Sequence, residues 1–320
     1  MRSVRCVLNI SLQNIRKWSE DYRIWTIAVL VIILCFDSVR IMNTIAAALG
    51  NSSSLWIYPF AYSQYHMKLL YSLPIILMFC NAPFIDSNKL MILTRIGGRR
   101  YLAGQIGYII LASLAYYGFV FLCTIVISLP VAEFSADWGD AIYTLAFSDS
   151  AGQIALKEEL FFLKVSGLVV QNYTPIAACL ITLLLSWLNG VMFGFILCLC
   201  NLLSGKKYLG SAICGIIMAF CCFAENEGRG MEFLLKYSPL SWTTLDISGI
   251  GLNKDHPGLW YCIAIYLTAA VAMGILIMTF GRKRILKMYS VKSVFFINHL
   301  IRKLFPALIL LPFIPFRLRN

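Results

Sequence analysis

The chain is poor in charge: Asp, Glu, Lys and Arg make up 13% of its 320 residues, while 60% are hydrophobic and the mean hydropathy is +0.77. A soluble domain of this size could not cover so much apolar surface, so the chain is expected to sit in a bilayer. Ten of its eleven cysteines fall inside apolar runs, the exception being Cys6, and none lies in either long acidic linker. That excludes a disulfide framework there, and buried thiols act as small hydrophobes. His66, His256 and His299 are isolated, and no Cys or His spacing suits a metal. The phosphate-cradling pattern GxxxxGK[ST] is missing, as is a soluble stretch large enough for a nucleotide-binding or catalytic module. There is no convincing repeat or low-complexity linker. Any energy source must therefore lie on another chain.

What the sequence does have is six apolar stretches, at 24–49, 69–85, 102–131, 174–203, 208–224 and 259–280. Each is near the roughly 20 residues that a helix needs to cross about 30 Å of hydrocarbon. The first is too long for a cleavable leader and lacks a small-residue cleavage site, so it is expected to remain as a span. The linkers between the stretches alternate in charge. Residues 1–23 carry five Lys/Arg, residues 86–101 four, Lys206 and Lys207 two, and the segment after Phe280 nine, together 20 of the 27. Residues 132–173 hold six Asp/Glu against two Lys, and residues 225–258 hold five against three Lys/Arg. The excess of basic residues in cytoplasmic linkers predicts both termini and the basic linkers inside. The net charge of +12 is mostly this asymmetry, and no nucleic-acid partner is implied.

The expected fold is all-α: a polytopic membrane protein with six transmembrane helices, an interfacial amphipathic helix over 1–23, a six-helix transmembrane domain over 24–280 and a basic cytoplasmic tail over 281–320. Val4, Val7, Leu8, Leu12, Ile15 and Trp18 recur at helical spacing, with Arg5, Asn9, Gln13, Arg16 and Lys17 on other faces. This predicts a helix at the cytoplasmic interface, with a soluble capping helix as the alternative. Small residues recur at packing spacing: Ala103 and Gly107, Gly190 and Gly194, Ser211, Gly215 and Ala219, Ala270 and Gly274. Asp37 and Arg40, three residues apart within the first run, read either as an intramembrane polar pair or as a pair at the interface where the span ends. Two segments, 154–164 and 231–242, predict short apolar helices in or on the outer leaflet. Residues 304–316 are apolar, but Pro306, Pro312 and Pro315 prevent a regular span.

The adjacent Glu158 and Glu159 invite comparison with intramembrane proteases carrying EExxxR, but Leu163 stands where arginine is required and no companion histidine pattern follows. An intramembrane hydrolase is accordingly the weakest alternative, behind a non-transport membrane subunit for sensing or assembly. The stretch 93–104, LTRIGGRRYLAG, and the segment Tyr237-Ser238-Pro239-Leu240-Ser241-Trp242 resemble parts of type-two ABC transporter permeases. So does the order of basic amphipathic helix, six spans, basic loop after the second span and apolar external segment before the last.

That resemblance implies the membrane subunit of a bacterial ATP-driven exporter in the cytoplasmic membrane. It further implies a second permease subunit, identical or sister, and separate ABC ATPase subunits that bind ATP and magnesium. The chain itself is expected to hold no cofactor and no metal, and to be no enzyme. Within 86–101, apolar Leu90, Met91, Ile92 and Leu93 suit a short helix for docking in an ATPase groove, with Arg95 beside it. Gly97 and Gly98 form a break, and Arg99 and Arg100 sit at the start of the third span; similarity to permease coupling helices points to the same role.

Overall fold

The computed structural model describes residues 2–50, 53–84, 96–133, 135–147, 164–206, 208–226, 232–248 and 256–304. Five described helices are long and apolar enough to cross a bilayer. They are α2 (Tyr22–Leu49), α5 (Gly98–Ser128), α8 (Pro175–Ser204), α9 (Leu209–Asn226) and the first part of α11 (Leu259–Leu304). Their ends carry the expected punctuation. Asp21 caps α2, accepting from the Arg23 amide at 3.0 Å, and Gly50 closes it at φ 70°. Pro175 opens α8 and Gly205 closes it at φ 72°.

The second predicted span is realised differently. Its helix, α4, covers only Tyr65–Phe79, fifteen residues with Pro74 inside, about 22 Å of rise and short of the hydrocarbon thickness. The chain then leaves the helix, and the side chain of Asn201 takes over. Its amide donates to the Cys80 and Ala82 carbonyls, both at 2.9 Å, while its oxygen accepts the Gly210 amide at 3.1 Å. One residue at the end of α8 thus satisfies backbone groups after α4 and at the start of α9, as non-helical backbone within such a bundle requires.

α8 is central, with 67% of its apolar window buried inside the protein, whereas α11 is peripheral at 11%. Gly190 and Gly194 let α8 approach α5. A Cβ on Gly194 would stand 2.4 Å from Ile109 Cγ2, and one on Gly190 2.7 Å from Tyr117 Cε2. Of the other predicted small-residue stripes, Gly107 sits close to the amino-terminal helix, where a Cβ would stand 2.8 Å from Ser11 Oγ, whereas Gly215 and Gly274 meet nothing within 4 Å.

The amino-terminal helix α1 (Arg2–Arg16) packs along α5. Its narrow edge of Ile10, Ser11 and Asn14 is buried, and Ser11 Oγ donates to the Gly104 carbonyl of α5 at 2.9 Å. Leu8 and Leu12 remain about half exposed, leaving an apolar edge for lipid.

At the end bearing the acidic linkers, short elements form a cap. Two-residue strands β1 (Ser53–Ser54) and β2 (Ala132–Glu133) pair in parallel. Helices α3 (Tyr58–Ala61), α6 (Asp140–Phe147) and α7 (Gly167–Asn172) gather around Trp138, whose indole N–H donates to the Tyr173 carbonyl at 2.9 Å. The predicted apolar helix at 154–164 falls almost wholly outside the described residues. The one predicted at 231–242 appears as 3-10 turns over Glu232–Tyr237 and Ser241–Thr243, followed by α10 (Leu245–Ser248).

α11 runs unbroken for 46 residues, so much of the basic segment after Phe280 continues the last apolar helix.

Candidate functional site

Burying a lone ammonium in an apolar bundle costs several kcal/mol, so such a group is either paired or absent. Lys68, in the first turn of α4, is fully buried, and its Nζ is hydrogen-bonded to Glu225 in the last turn of α9. Glu225 is 14% exposed and also accepts from Ser241 Oγ at 3.0 Å, while the Ser241 and Ser238 hydroxyls lie 2.6 Å apart. His66 lies within electrostatic reach of Glu225.

The serines are fixed by the segment the sequence singled out, Tyr237 to Trp242. The Trp242 indole N–H donates to the Leu235 carbonyl at 2.7 Å and its ring packs edge-on against Tyr266, whose hydroxyl donates to the Pro239 carbonyl. This segment is thereby wedged between α4, α9 and α11, with Ser238, Ser241 and Trp242 buried. Nearer the surface, Asp246 accepts Ser166 Oγ at 2.6 Å and pairs with Lys164 at 3.6 Å. With Lys164 62% and Asp246 34% exposed, the outer pair is open to solvent where the inner one is sealed.

Deeper, the polar groups are neutral. Thr182, Ser186 and Asn189 share one face of α8 at spacings of four and three residues, all fully buried, and Asn189 lies at the midpoint of the helix. Opposite them are Tyr58 of α3, Tyr62 just after it, Ser72 of α4, and Ser113 and Tyr117 of α5. Tyr58 packs on Tyr62 at 5.5 Å between ring centroids, and Tyr62 on Tyr117 at 6.5 Å. The Tyr58 hydroxyl stands beside Ser186, and that of Tyr117 beside Ser72 and Asn189.

None of Tyr58 Oη, Tyr62 Oη, Ser113 Oγ, Thr182 Oγ1, Ser186 Oγ or the two amide atoms of Asn189 makes a hydrogen bond of regular geometry. Neighbouring groups do. Tyr116 donates to the Tyr71 carbonyl at 2.7 Å, and Ser38 donates to the Leu34 carbonyl at 3.0 Å. The Tyr58 hydroxyl is within reach of Tyr62 and Ser186, and the Tyr117 hydroxyl of Ser72 and Asn189, so the layer is a set of neutral groups that can satisfy one another. Ser72 lies one helical turn from Lys68, joining this layer to the ion pair.

Asp37 and Arg40 are brought together, at 3.1 Å, on an outward face of α2, with Arg40 66% and Asp37 38% exposed. α2 continues past both without a break, so the helix does not end near Phe36. Of the predicted coupling loop, Leu90, Met91, Ile92, Leu93 and Arg95 lie outside the described residues. Gly97 adopts a positive φ of 86°, a backbone geometry that favours glycine and sets off the start of α5, and Gly98, Arg99 and Arg100 begin that helix with both arginines exposed.

Sequence reasoning missed the Lys68–Glu225 pair because each residue falls one position outside a predicted span, where a single charge reads as an interfacial anchor. The polar face Thr182–Ser186–Asn189 carried a usable signal, three hydrogen-bonding residues at helical spacing inside a long apolar run. No protein family, curated protein or solved structure gives a match to this chain.

Proposed function

We propose that the chain is the membrane permease subunit of an ATP-driven exporter. The observation that carries this reading is the column of buried polar groups in an otherwise apolar bundle. It runs from the half-exposed Lys164–Asp246 pair, through Lys68, Glu225 and the two serines, to the neutral layer around Asn189. Buried hydrogen-bonding and ionisable groups inside a membrane bundle are expensive, and they characteristically mark a pathway. A bundle serving only as an anchor has no need of them.

The resemblance to type-two ABC permeases supplies the energy source and the partners. ATP and magnesium are bound by separate ATPase subunits, and the chain couples their closure to the spans. The basic linkers and both termini face the cytoplasm of a bacterial cell, which puts the ion pair and its cap outside. The outward Asp37–Arg40 pair suits a surface covered by a second permease subunit, identical or sister, because a charged pair facing lipid is costly. The contact with the ATPase is the loop of Leu90, Met91, Ile92, Leu93 and Arg95, set off from α5 by the Gly97 break.

The test is to replace Leu90, Ile92 or Arg95 and follow membrane insertion, co-purification with a co-expressed ABC ATPase subunit, and ATP-driven efflux. The expected outcome is normal insertion with loss of coupling. Unchanged co-purification and unchanged transport overturn the assignment.

A further inference from the structure

We infer that the place where α11 leaves the bundle, between the start of α5 and the end of α8, is a binding site for the headgroup of an anionic phospholipid. The inference does not depend on the transport reading. Three elements meet there at a glycine. Gly281 of α11 is buried, and a Cβ on it would stand 3.0 Å from Leu102 Cδ1 of α5 and 3.2 Å from Leu202 Cδ1 of α8. The chain turns basic at this point on all three: Arg99 and Arg100 precede Leu102, Lys206 follows Leu202, and Arg282, Lys283 and Arg284 follow Gly281. Six cationic residues thus fall within four positions of one close helix contact.

These elements do not balance the charge themselves. α5, α8 and α11 contain no aspartate or glutamate along their whole lengths. The described acidic residues at this end, Glu20 and Asp21, belong to the turn after α1. That turn meets α5 at Tyr108, through the Trp18 indole, about two helical turns along from Arg100. Arg99, Arg100 and Lys206 are exposed and make no ion pair among the described residues. Like charges crowded at one contact repel, so an anion from outside the chain stabilises the arrangement.

The surroundings of the cations favour a lipid over a soluble anion. Leu203, Tyr208, Leu209 and Phe280 each lie within three positions of one of these basic residues and are 40–68% exposed. An inorganic phosphate gains nothing from such a rim, whereas a phospholipid sets its phosphate among the cations and its acyl chains on the apolar groups beside them. α11 is the peripheral helix, so the seam is reached from the bilayer, and basic pockets between membrane helices suit phosphate-bearing headgroups. Four of the six are arginine, whose planar fork pairs with phosphate oxygens in a bidentate manner. A basic fringe that only orients the chain attracts anionic lipid diffusely, by total charge; a site holds one molecule and depends on where the charge stands.

The experiment titrates the full chain, in a neutral detergent, with phosphatidylglycerol, with phosphatidylcholine of the same acyl chains, and with inorganic phosphate, and follows binding by native mass spectrometry. One phosphatidylglycerol per chain should be retained, saturably and about tenfold more tightly than phosphatidylcholine, and excess inorganic phosphate should not displace it. Affinity should fall by about tenfold in the double variant Arg99→Gln, Arg100→Gln and in the double variant Arg282→Gln, Arg284→Gln. Arg16→Gln with Lys17→Gln removes the same charge elsewhere at this end and should leave binding unchanged. Gly281→Leu keeps every charge but forces α11 away from α5 and α8, and it should weaken binding too. Equal losses in all three double variants mean diffuse attraction and overturn the inference. Equal retention of the two lipids overturns it, as does displacement by inorganic phosphate, which identifies a soluble-anion site. Retention of neither lipid leaves the cations to an acidic protein surface and overturns it as well, and so does full affinity in a folded Gly281→Leu. The arginine variants decide the matter where Gly281→Leu does not fold.

Discussion

Replacing Glu225 by Gln removes the charge that neutralises Lys68 while keeping a group of the same shape for Ser241 to reach. Lys68 has no exposed surface, so the stranded ammonium has no route to water. Breaking a buried pair from one side costs about 3–5 kcal/mol, and this geometry belongs at the upper end. The opposite change, Lys68→Met, strands a carboxylate that is 14% exposed and still held by Ser241 at 3.0 Å, which belongs at the lower end. The double variant leaves no charge, only a neutral amide with one hydrogen-bond donor beside it, and should lie within about 1 kcal/mol of the parent because apolar replacement of a buried pair is often neutral. The coupling in the double-mutant cycle is then at least about 5 kcal/mol, the sum of the two single losses less that of the double. Purified protein in mixed lipid–detergent micelles, unfolded with SDS and followed by tryptophan fluorescence, gives the three free energies. If Lys68→Met is the more damaging single change, or if the two losses simply add, then the pair is not a sealed ion pair and the argument from burial fails.

Asn201→Ala should lower stability by about 3 kcal/mol through three orphaned backbone groups. Asn201→Asp should do no better, since a carboxylate cannot donate to Cys80 or Ala82; rescue by Asp in a thermal-unfolding assay would refute the bonding pattern. Gly194→Ala should cost about 1–3 kcal/mol by overpacking against branched, buried Ile109, while Gly215→Ala and Gly274→Ala, with open space around them, should change the unfolding midpoint little; equal effects would refute the close α5–α8 approach. If the proposed second subunit covers this face, Asp37→Asn alone should weaken the association more than Asp37→Asn with Arg40→Gln, as read from subunit dissociation in detergent. Additive losses would mean that the pair faces solvated headgroups.

The long helices were legible because each is an apolar run near bilayer length, and their partners matter little to their existence. The ends were less so. The second span was drawn through Asn81 and Pro83 because an average over hydropathy does not register that proline disfavours helix in the residue before it; the structure ends α4 at Phe79. In the other direction, no proline occurs between Leu259 and Pro306, and α11 accordingly runs past the last apolar residue to Leu304. The cap was mostly illegible, since two-residue strands and four-residue helices exist only through tertiary contacts such as those of Trp138. The candidate site was half legible. Tyr237 to Trp242 was picked out as a motif, but its task of holding Ser241 against Glu225 depends on a residue pair 157 positions apart in the chain. Lone charges at the edges of apolar runs give no sign of which will meet.

The Asn201 amide has a mechanical consequence. Three hydrogen bonds from one side chain tie the end of α4 and the beginning of α9 to α8 at a single point. A displacement of the chain below α4 is therefore resisted by α8 and α9 as well, because it stretches bonds to a residue that all three helix ends share. Strain at that end is thus spread over helices whose opposite ends carry Lys68, Glu225 and the cap.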